Sequence, residues 1–501
     1  MATSTGWFVR LIVRLSGPKG QSHNRYACAM ASTVFDRSHP NPALVTSALA
    51  ASELAPFWME SLDIPNWPRL ESTEKFDLVV VGGGYTGLWT ALLAKERDPE
   101  LRVAILEANT VGWAASGRNG GFCEASLTHG ENNGQRRWPK ELETLDRLGL
   151  ENLDEIEATV AKRGWKVDFE RTGTLSVATE NYQVRELESS VSDVDLYLDE
   201  AAVRAQVNSP TYLAGLWSTR ATAMIHPGKL VAELAKACAE AGVEIFEHSP
   251  VRGIDTRTEG KTVVVETRHG SAWASKVALA TNAFPSILKR YQLHTVPVYD
   301  YVLMTEPLTA EQLASIGWEG RQGIADLANQ FHYYRLTSDN RILWGGYDAI
   351  YHYGGEIKPE YEDRPATYEK LAHHFFTTFP QLEGIRFSHR WGGVIDTSTR
   401  FTAFFGLARQ GRVAYAAGYT GLGVAATRFA ANVMLDRLGG LDTERTSLEM
   451  VRRVPPPFPP EPAAYLGVQA TRAALNAADH NRGKRNLLLK TLDAAGLGFD
   501  S

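Results

Sequence analysis

The tightest constraint on this chain lies between residues 76 and 107. Phe76 to Val81 is a strand-length apolar run broken only by Asp77, and Gly82-Gly83-Gly84-Tyr85-Thr86-Gly87 follows at once. Leu88 to Ala94 is apolar and helical in character, Asp98-Pro99 closes it, and Val103 to Leu106 is a second buried strand ending at Glu107. Strand, glycine turn, helix and strand in that order make one unit of a doubly wound α/β fold. Each glycine answers a separate steric demand. Gly82 permits the tight turn out of the strand, Gly84 lets the backbone approach a pyrophosphate, and Gly87 lets the helix pack closely on the sheet. The helix N-terminus then turns its N–H groups and dipole toward the phosphates. Glu107, 20 residues beyond Gly87, stands where a carboxylate accepts the ribose hydroxyls of a dinucleotide. An acid there, where a 2′-phosphate would need Arg, leaves FAD or NAD.

Two more segments favour FAD. Soon after Glu107 comes Ala114-Ala115-Ser116-Gly117-Arg118-Asn119-Gly120-Gly121. So many small residues let a backbone press against a planar ring or a pyrophosphate, with Ser116 and Asn119 as donors. Near the other end, Gly418-Tyr419-Thr420-Gly421-Leu422-Gly423 joins a buried strand, Val413 to Ala417, to a helix, Val424 to Leu438. A helix N-terminus there would offer N–H groups to the flavin N1–C2=O edge, where negative charge gathers on reduction. The expected cofactor contacts are therefore Gly82, Gly84, Gly87, Glu107, Ala115, Ser116, Arg118, Asn119, Gly120, Gly121, Gly418, Thr420, Gly421 and Gly423. A nicotinamide dehydrogenase needs neither late segment. It stays as an alternative reading, as does a flavin-binding scaffold without turnover.

These same residues resemble the D-amino-acid-oxidase-like family of FAD-dependent oxidoreductases, and within it the branch of gamma-glutamylputrescine oxidases. Tyr334-Arg335-Leu336, Ile342-Leu343-Trp344-Gly345-Gly346 and Trp391-Gly392-Gly393 add to the likeness, which spans roughly residues 75 to 440. The resemblance implies an FAD-binding, Rossmann-like domain interleaved with a substrate domain built on an antiparallel sheet. On that scheme residues 75–150, 215–295 and 385–440 form the FAD domain, and 151–214 with 296–384 form the substrate domain. Relatives with covalent flavin carry a Cys near the late glycine motif or a His near the first flavin loop. This chain has Thr420 and Leu422, and Trp113-Ala114, in those places, which points to non-covalent FAD. The implied chemistry is amine or amino-acid oxidation by hydride transfer to flavin N5, an imine that hydrolyses, and oxygen as the expected acceptor, giving hydrogen peroxide. An amine dehydrogenase with another acceptor is the alternative.

Outside this core, residues 1–40 read as a disordered leader. Residues 1–29 hold no acid and include Arg10, Arg14, Lys19 and Arg25, a composition shared with organelle transit peptides; a leader preceding Met30 is the reading adopted. Residues 41–74 form a Trp- and Pro-rich arm expected to pack on the body, and residues 441–501 a Pro-rich hinge and helical tail. The net charge of −6 gives no basic field for nucleic acid. Cys28, Cys123 and Cys238 are an odd and scattered set, without disulfide or zinc spacing, so a cytoplasmic protein without metal is expected. No apolar run approaches the roughly 20 residues of a membrane span.

No catalytic triad is legible. The expected pocket residues are Tyr299, Tyr301, Tyr334 and Trp391, as walls against a flavin face, and Arg335, as a bidentate partner for a substrate carboxylate. Each has a plainer reading as core or salt bridge. Cys123 is expected to be a small packed side chain, His226 before Pro227 a helix cap, and Arg482, Lys484 and Arg485 a solvated face. Lys276 and Lys289 are candidates to aid oxygen reduction, as a lysine does in some relatives, and no motif places either.

Overall fold

The computed structural model describes residues 32–192, 194–256 and 262–498; the reading of residues 1–31 as a leader lies outside them. The strand of the glycine motif, Thr73–Val81, runs parallel to Val103–Leu106 on one side and to Ser271–Leu279 on the other. Glu244–Phe246 extends the sheet beyond Val103–Leu106. Ser271–Leu279 pairs through its first half with Val263–Glu266 and through its second half with Val413–Ala417. Four helices, Tyr85–Arg97, Leu142–Arg163, Pro227–Glu240 and Gly423–Gly439, bury their apolar sides in one core against this sheet. Val79, Val81, Leu106, Val265 and Tyr415 belong to a second core on the other face. A sheet buried on both faces needs the continuous apolar runs seen in the sequence.

The second sheet has ten strands. Its centre is Phe387–Ser398, Thr295–Thr305, Ile342–Gly346 and His332–Leu336, each antiparallel to the next. Two pairings are parallel: Glu53–Leu54 with Phe387–Ser398, and Gly323–Asp326 with Thr174–Ala178. The sheet is therefore mixed, mainly antiparallel. Its outer face is covered by Pro42–Leu49 and Pro365–Thr378, over a core that includes Tyr299, Tyr301, Tyr334, Trp344, Tyr368 and Phe375.

Two of the expected boundaries need correction. Phe387–Ser398 falls within the 385–440 assigned to the FAD domain, and Ala214–Ser218 overlaps the 215–295 assigned to it. Both pair within the ten-stranded sheet. Glycine-rich or isolated strands carry no label of the sheet they join, because pairing partners lie far away in sequence. The end of the expected leader is also ordered: Val34–Arg37 is a short helix whose Phe35 is buried. The arm packs as expected, with Trp58 buried and its Nε1–H donated to Asn119 O (2.7 Å). After the Pro-rich stretch the tail forms Ala463–Asp479 and Leu487–Ala494. No helix among the described residues is long and apolar enough to cross a membrane.

Candidate functional site

The helix Tyr85–Arg97 starts directly from the glycine turn, with Gly84 as its N-cap. Gly82 has φ +111°, a conformation that L side chains resist. A Cβ on Gly87 would collide with the Gly82 carbonyl oxygen, and one on Gly84 would sit 2.9 Å from Ser116 Oγ. Tyr85 N–H donates to Ser116 Oγ (2.9 Å), while Thr86 and Gly87 precede the first backbone bond of the helix, Leu88 N–H to Gly84 O (2.9 Å). That is the donor set and bare backbone a pyrophosphate requires. Glu107 sits beneath the turn. It accepts Gly83 N–H (2.6 Å) on one oxygen, and Asn109 N–H (2.8 Å) and Trp113 Nε1–H (2.9 Å) on the other. Burial raises its pKa, and these donors oppose the rise. The residues present fit FAD: a donor-rich helix start, a cradle that side chains would fill, and a fixed carboxylate.

The loop carrying Ala115–Gly117, a short 3-10 turn, is fastened to the ten-stranded sheet. Asn119 does not offer the donors expected of it. Both Nδ2 hydrogens go to Ala115 O and Ser116 O (3.0 Å each), and its Oδ1 accepts Gly121 N–H (2.9 Å), so it braces its own loop. Arg118 turns toward the sheet, donating to Trp113 O (2.9 Å), Gly392 O (3.0 Å) and Glu362 (2.6 Å). Trp391 Nε1–H donates to Arg118 O (2.8 Å). Gly120 packs under Tyr333, whose Cε2 would lie 2.6 Å from a Cβ there.

The late turn joins the same region through Thr86, whose Oγ1 donates to Tyr419 Oη (2.9 Å). Gly418 and Gly421 have positive φ, as does Thr420, and the helix Gly423–Gly439 starts at the end of the turn. Sequence reasoning missed the residue that shapes this turn. Asp396, buried at the end of Phe387–Ser398, accepts Gly418 N–H (2.5 Å) and Tyr419 N–H (3.1 Å). Burial pushes its carboxyl up to about 7 against those donors. Its partners are backbone groups 22 and 23 residues away, so no spacing rule finds it. Thr420 Oγ1 is also spent internally, donating to Gly418 O (3.0 Å) and accepting Ser398 N–H (3.2 Å).

Strand alternation overturns most of the expected pocket. Tyr299 and Tyr301 project to the outer face, where their hydroxyls donate to Lys358 O (3.2 Å) and Tyr361 O (2.7 Å). Tyr334 points the same way and meets Tyr212 (2.7 Å). Their neighbours Asp300, between the two tyrosines, and Tyr333, before Tyr334, take the opposite, inner face, where Tyr333 lies against Gly120 of the loop. Arg335 shares that inner face but is only 2% exposed, its Nε and Nη1 hydrogens spent on Leu336 O, Gly121 O and Ile225 O. It braces the loop and is closed to a ligand carboxylate. Trp391 is also on the inner face, packed with Trp58, Val302 and Tyr333 behind the loop. Asp300 and Tyr333 remain partly exposed.

The other single residues follow their plainer readings. Cys123 is buried in the helix-side core, and burial pushes its thiol up to about 12. His226 caps Pro227–Glu240, its Nδ1 accepting Lys229 N–H (3.2 Å). Lys276 and Lys289 are exposed.

Comparison with known proteins adds to this geometry. A family model described as DAO, FAD dependent oxidoreductase, matches residues 77–437. The chain is 32% identical over 415 residues to gamma-glutamylputrescine oxidoreductase from Escherichia coli, covering 79% of this chain and 89% of that protein. It is 30% identical over 407 residues to the probable oxidoreductase OrdL from Haemophilus influenzae, covering 78% and 88%. Among solved structures, glycine oxidase from Geobacillus kaustophilus superposes with a TM-score of 0.62 at 19% identity, over 74% of this chain and 96% of that one.

Proposed function

Because this chain belongs to the DAO family of FAD-dependent oxidoreductases, we propose that it oxidises the C–N bond of a small amine or amino acid. The observation that carries this reading is the likeness, over 79% of the chain, to an enzyme named for a putrescine-derived amine. FAD, held without a covalent bond, supplies the hydride acceptor. In this reading the N-terminus of Tyr85–Arg97 takes the pyrophosphate and Glu107 the ribose hydroxyls. The turn at 418–423 would offer the start of Gly423–Gly439 to the pyrimidine edge of the ring. Tyr333, the partly exposed aromatic residue of the inner sheet face, would border the ring, with Trp391 backing the loop behind it, and keep water from the reacting carbon. The imine formed from the substrate hydrolyses after release, and oxygen is the final acceptor, yielding hydrogen peroxide.

The test is anaerobic mixing of the yellow holoprotein with a panel of primary and secondary amines and amino acids. Bleaching of the flavin by panel members is expected, with peroxide forming when air is admitted. Bleaching without peroxide would assign another electron acceptor. A flavin that no amine bleaches would overturn the amine reading. Acid precipitation should release the flavin to the supernatant, and colour retained in the pellet would refute non-covalent binding.

A further inference from the structure

The inner face of the ten-stranded sheet is mostly apolar where it meets the flavin loop: Val302, Met304, Leu343 and Trp391 form one cluster there. Asp300 interrupts it. Tyr333 reaches this carboxylate from two strands away, across Gly345, and its hydroxyl donates to Asp300 Oδ2. The reach depends on Gly345 having no side chain, since a Cβ there would lie 2.7 Å from Tyr333 Cζ and 2.8 Å from Oη. On its other side the ring rests on Gly120 of the flavin loop, and Phe122 meets it edge-on (centroids 5.9 Å, 87°). Two bare glycines thus seat one phenol so that it orients one carboxylate.

The charge of Asp300 is otherwise unanswered. Among the described residues no lysine or arginine forms an ion pair with it; Arg118, on the loop, is committed to Glu362. Burial pushes its carboxyl up to about 6, against Tyr333 and the backbone N–H groups of Tyr301 and Gly346. A half-buried anion without a cation is costly to keep, yet this one is partly exposed on the single face that looks at the cofactor loop.

We infer that Asp300, oriented by Tyr333, is the counter-ion that receives the substrate's ammonium group, so that the pocket selects amines that arrive as cations. The inference rests on the amine reading above, and it adds a binding residue to it. A charge-assisted N–H to carboxylate bond is the strong, directional contact such a face can offer an otherwise variable apolar amine.

The test reads binding and not turnover. tert-Butylammonium has no hydrogen on the carbon bearing nitrogen, so it cannot be oxidised, and tert-butanol is its neutral counterpart of the same shape. Each is titrated into holoenzyme while the visible flavin spectrum is followed. Wild type is expected to bind the ammonium more tightly than the alcohol. Asp300→Asn should weaken the ammonium by about tenfold or more and leave the alcohol unchanged. The wild-type protein gives a second measurement that needs no variant. Below about pH 6 the affinity for the ammonium should fall by about tenfold per unit as Asp300 takes up a proton, while that for the alcohol stays level. The other groups acting on Asp300 are the Tyr333 hydroxyl, the backbone N–H groups of Tyr301 and Gly346, and, from the opposite face of the strand that carries Tyr333, the His332 ring. Equal affinity of wild type and Asp300→Asn for the ammonium, no preference for it over the alcohol in wild type, or a flat pH profile would each overturn the inference. Amine bleaching that persists alongside such a result would leave the amine reading standing and remove only the role of Asp300.

Discussion

At the scale of single residues, the site depends on carboxylates whose acceptors are spent on backbone. Glu107 holds Gly83, Asn109 and the Trp113 indole, so Glu107→Ala removes the proposed ribose acceptor and also releases the turn. A lost charged hydrogen bond is worth about 1.5–3 kcal/mol. FAD affinity should fall about ten- to a hundredfold by fluorescence titration, with little change in rate per bound flavin. Asp396 gives a pH signature. Burial raises its folded pKa to about 7 from the usual 3.8 of an aspartate, so between those values the folded state binds more protons than the unfolded state. Stability contributed by Asp396 is therefore lost as pH rises through that window. Asp396→Asn keeps an oxygen for Gly418 and Tyr419 and has no charge to bury. Its melting temperature should gain on wild type as pH goes from about 5 to about 8, and parallel curves for the two proteins would refute the assignment. The place of Glu107 at the glycine turn was legible because strand-end acids follow a spacing rule. Asp396, Asp300 and Tyr333 were not, because their roles come from contacts across strands and turns.

At the scale of elements, the strand–turn–helix–strand unit was legible in order and place, since periodicity and glycine placement are local; the first strand begins three residues earlier than read and the helix extends three further at each end. Facing was not. Tyr299, Tyr301 and Tyr334 stood out as aromatic, but a strand's two faces alternate, and only the register with neighbouring strands says which face meets the cofactor. The late turn offers an element-scale test. Gly421 has φ +93° and nothing within 4 Å of the place where a Cβ would be. Gly421→Val therefore strains the backbone without striking another part of the protein. If the start of Gly423–Gly439 stabilises charge on the flavin, the holo variant should show a lower reduction potential and slower anaerobic reduction. Loss of one well-placed donor costs about 10²–10³ in rate in comparable sites. Unchanged potential and rate would move the turn away from the flavin.

At the scale of the whole molecule, both ends of the described chain clasp the outer face of the ten-stranded sheet. Phe35 stacks on His374 (centroids 4.2 Å, 22°) above the buried His332–Asp326 pair (2.7 Å). Asp36 pairs with His480 (3.0 Å), and Asp479 accepts two N–H groups of Asn329 and one of Gln330. Removal through residue 40 should lower the melting temperature below that of a truncation through residue 31, by uncovering the histidines. Equal stability of the two truncations would show that the contact carries no weight. The expected disorder of residues 32–40 failed because one buried aromatic is invisible to composition. The interleaving of the two sheets has a different consequence. The chain adds Glu53–Leu54 to the ten-stranded sheet, crosses to the other sheet at Thr73, returns at Thr174, leaves after Ser218, returns at Thr295 and leaves again after Ser398. Neither half is a contiguous length of sequence, so no single cut yields a separable lobe. A protease nick in any of those connections should leave two fragments that migrate together on a native gel and part only in denaturant. A gene for either half alone would encode strands without the neighbours that complete their sheet.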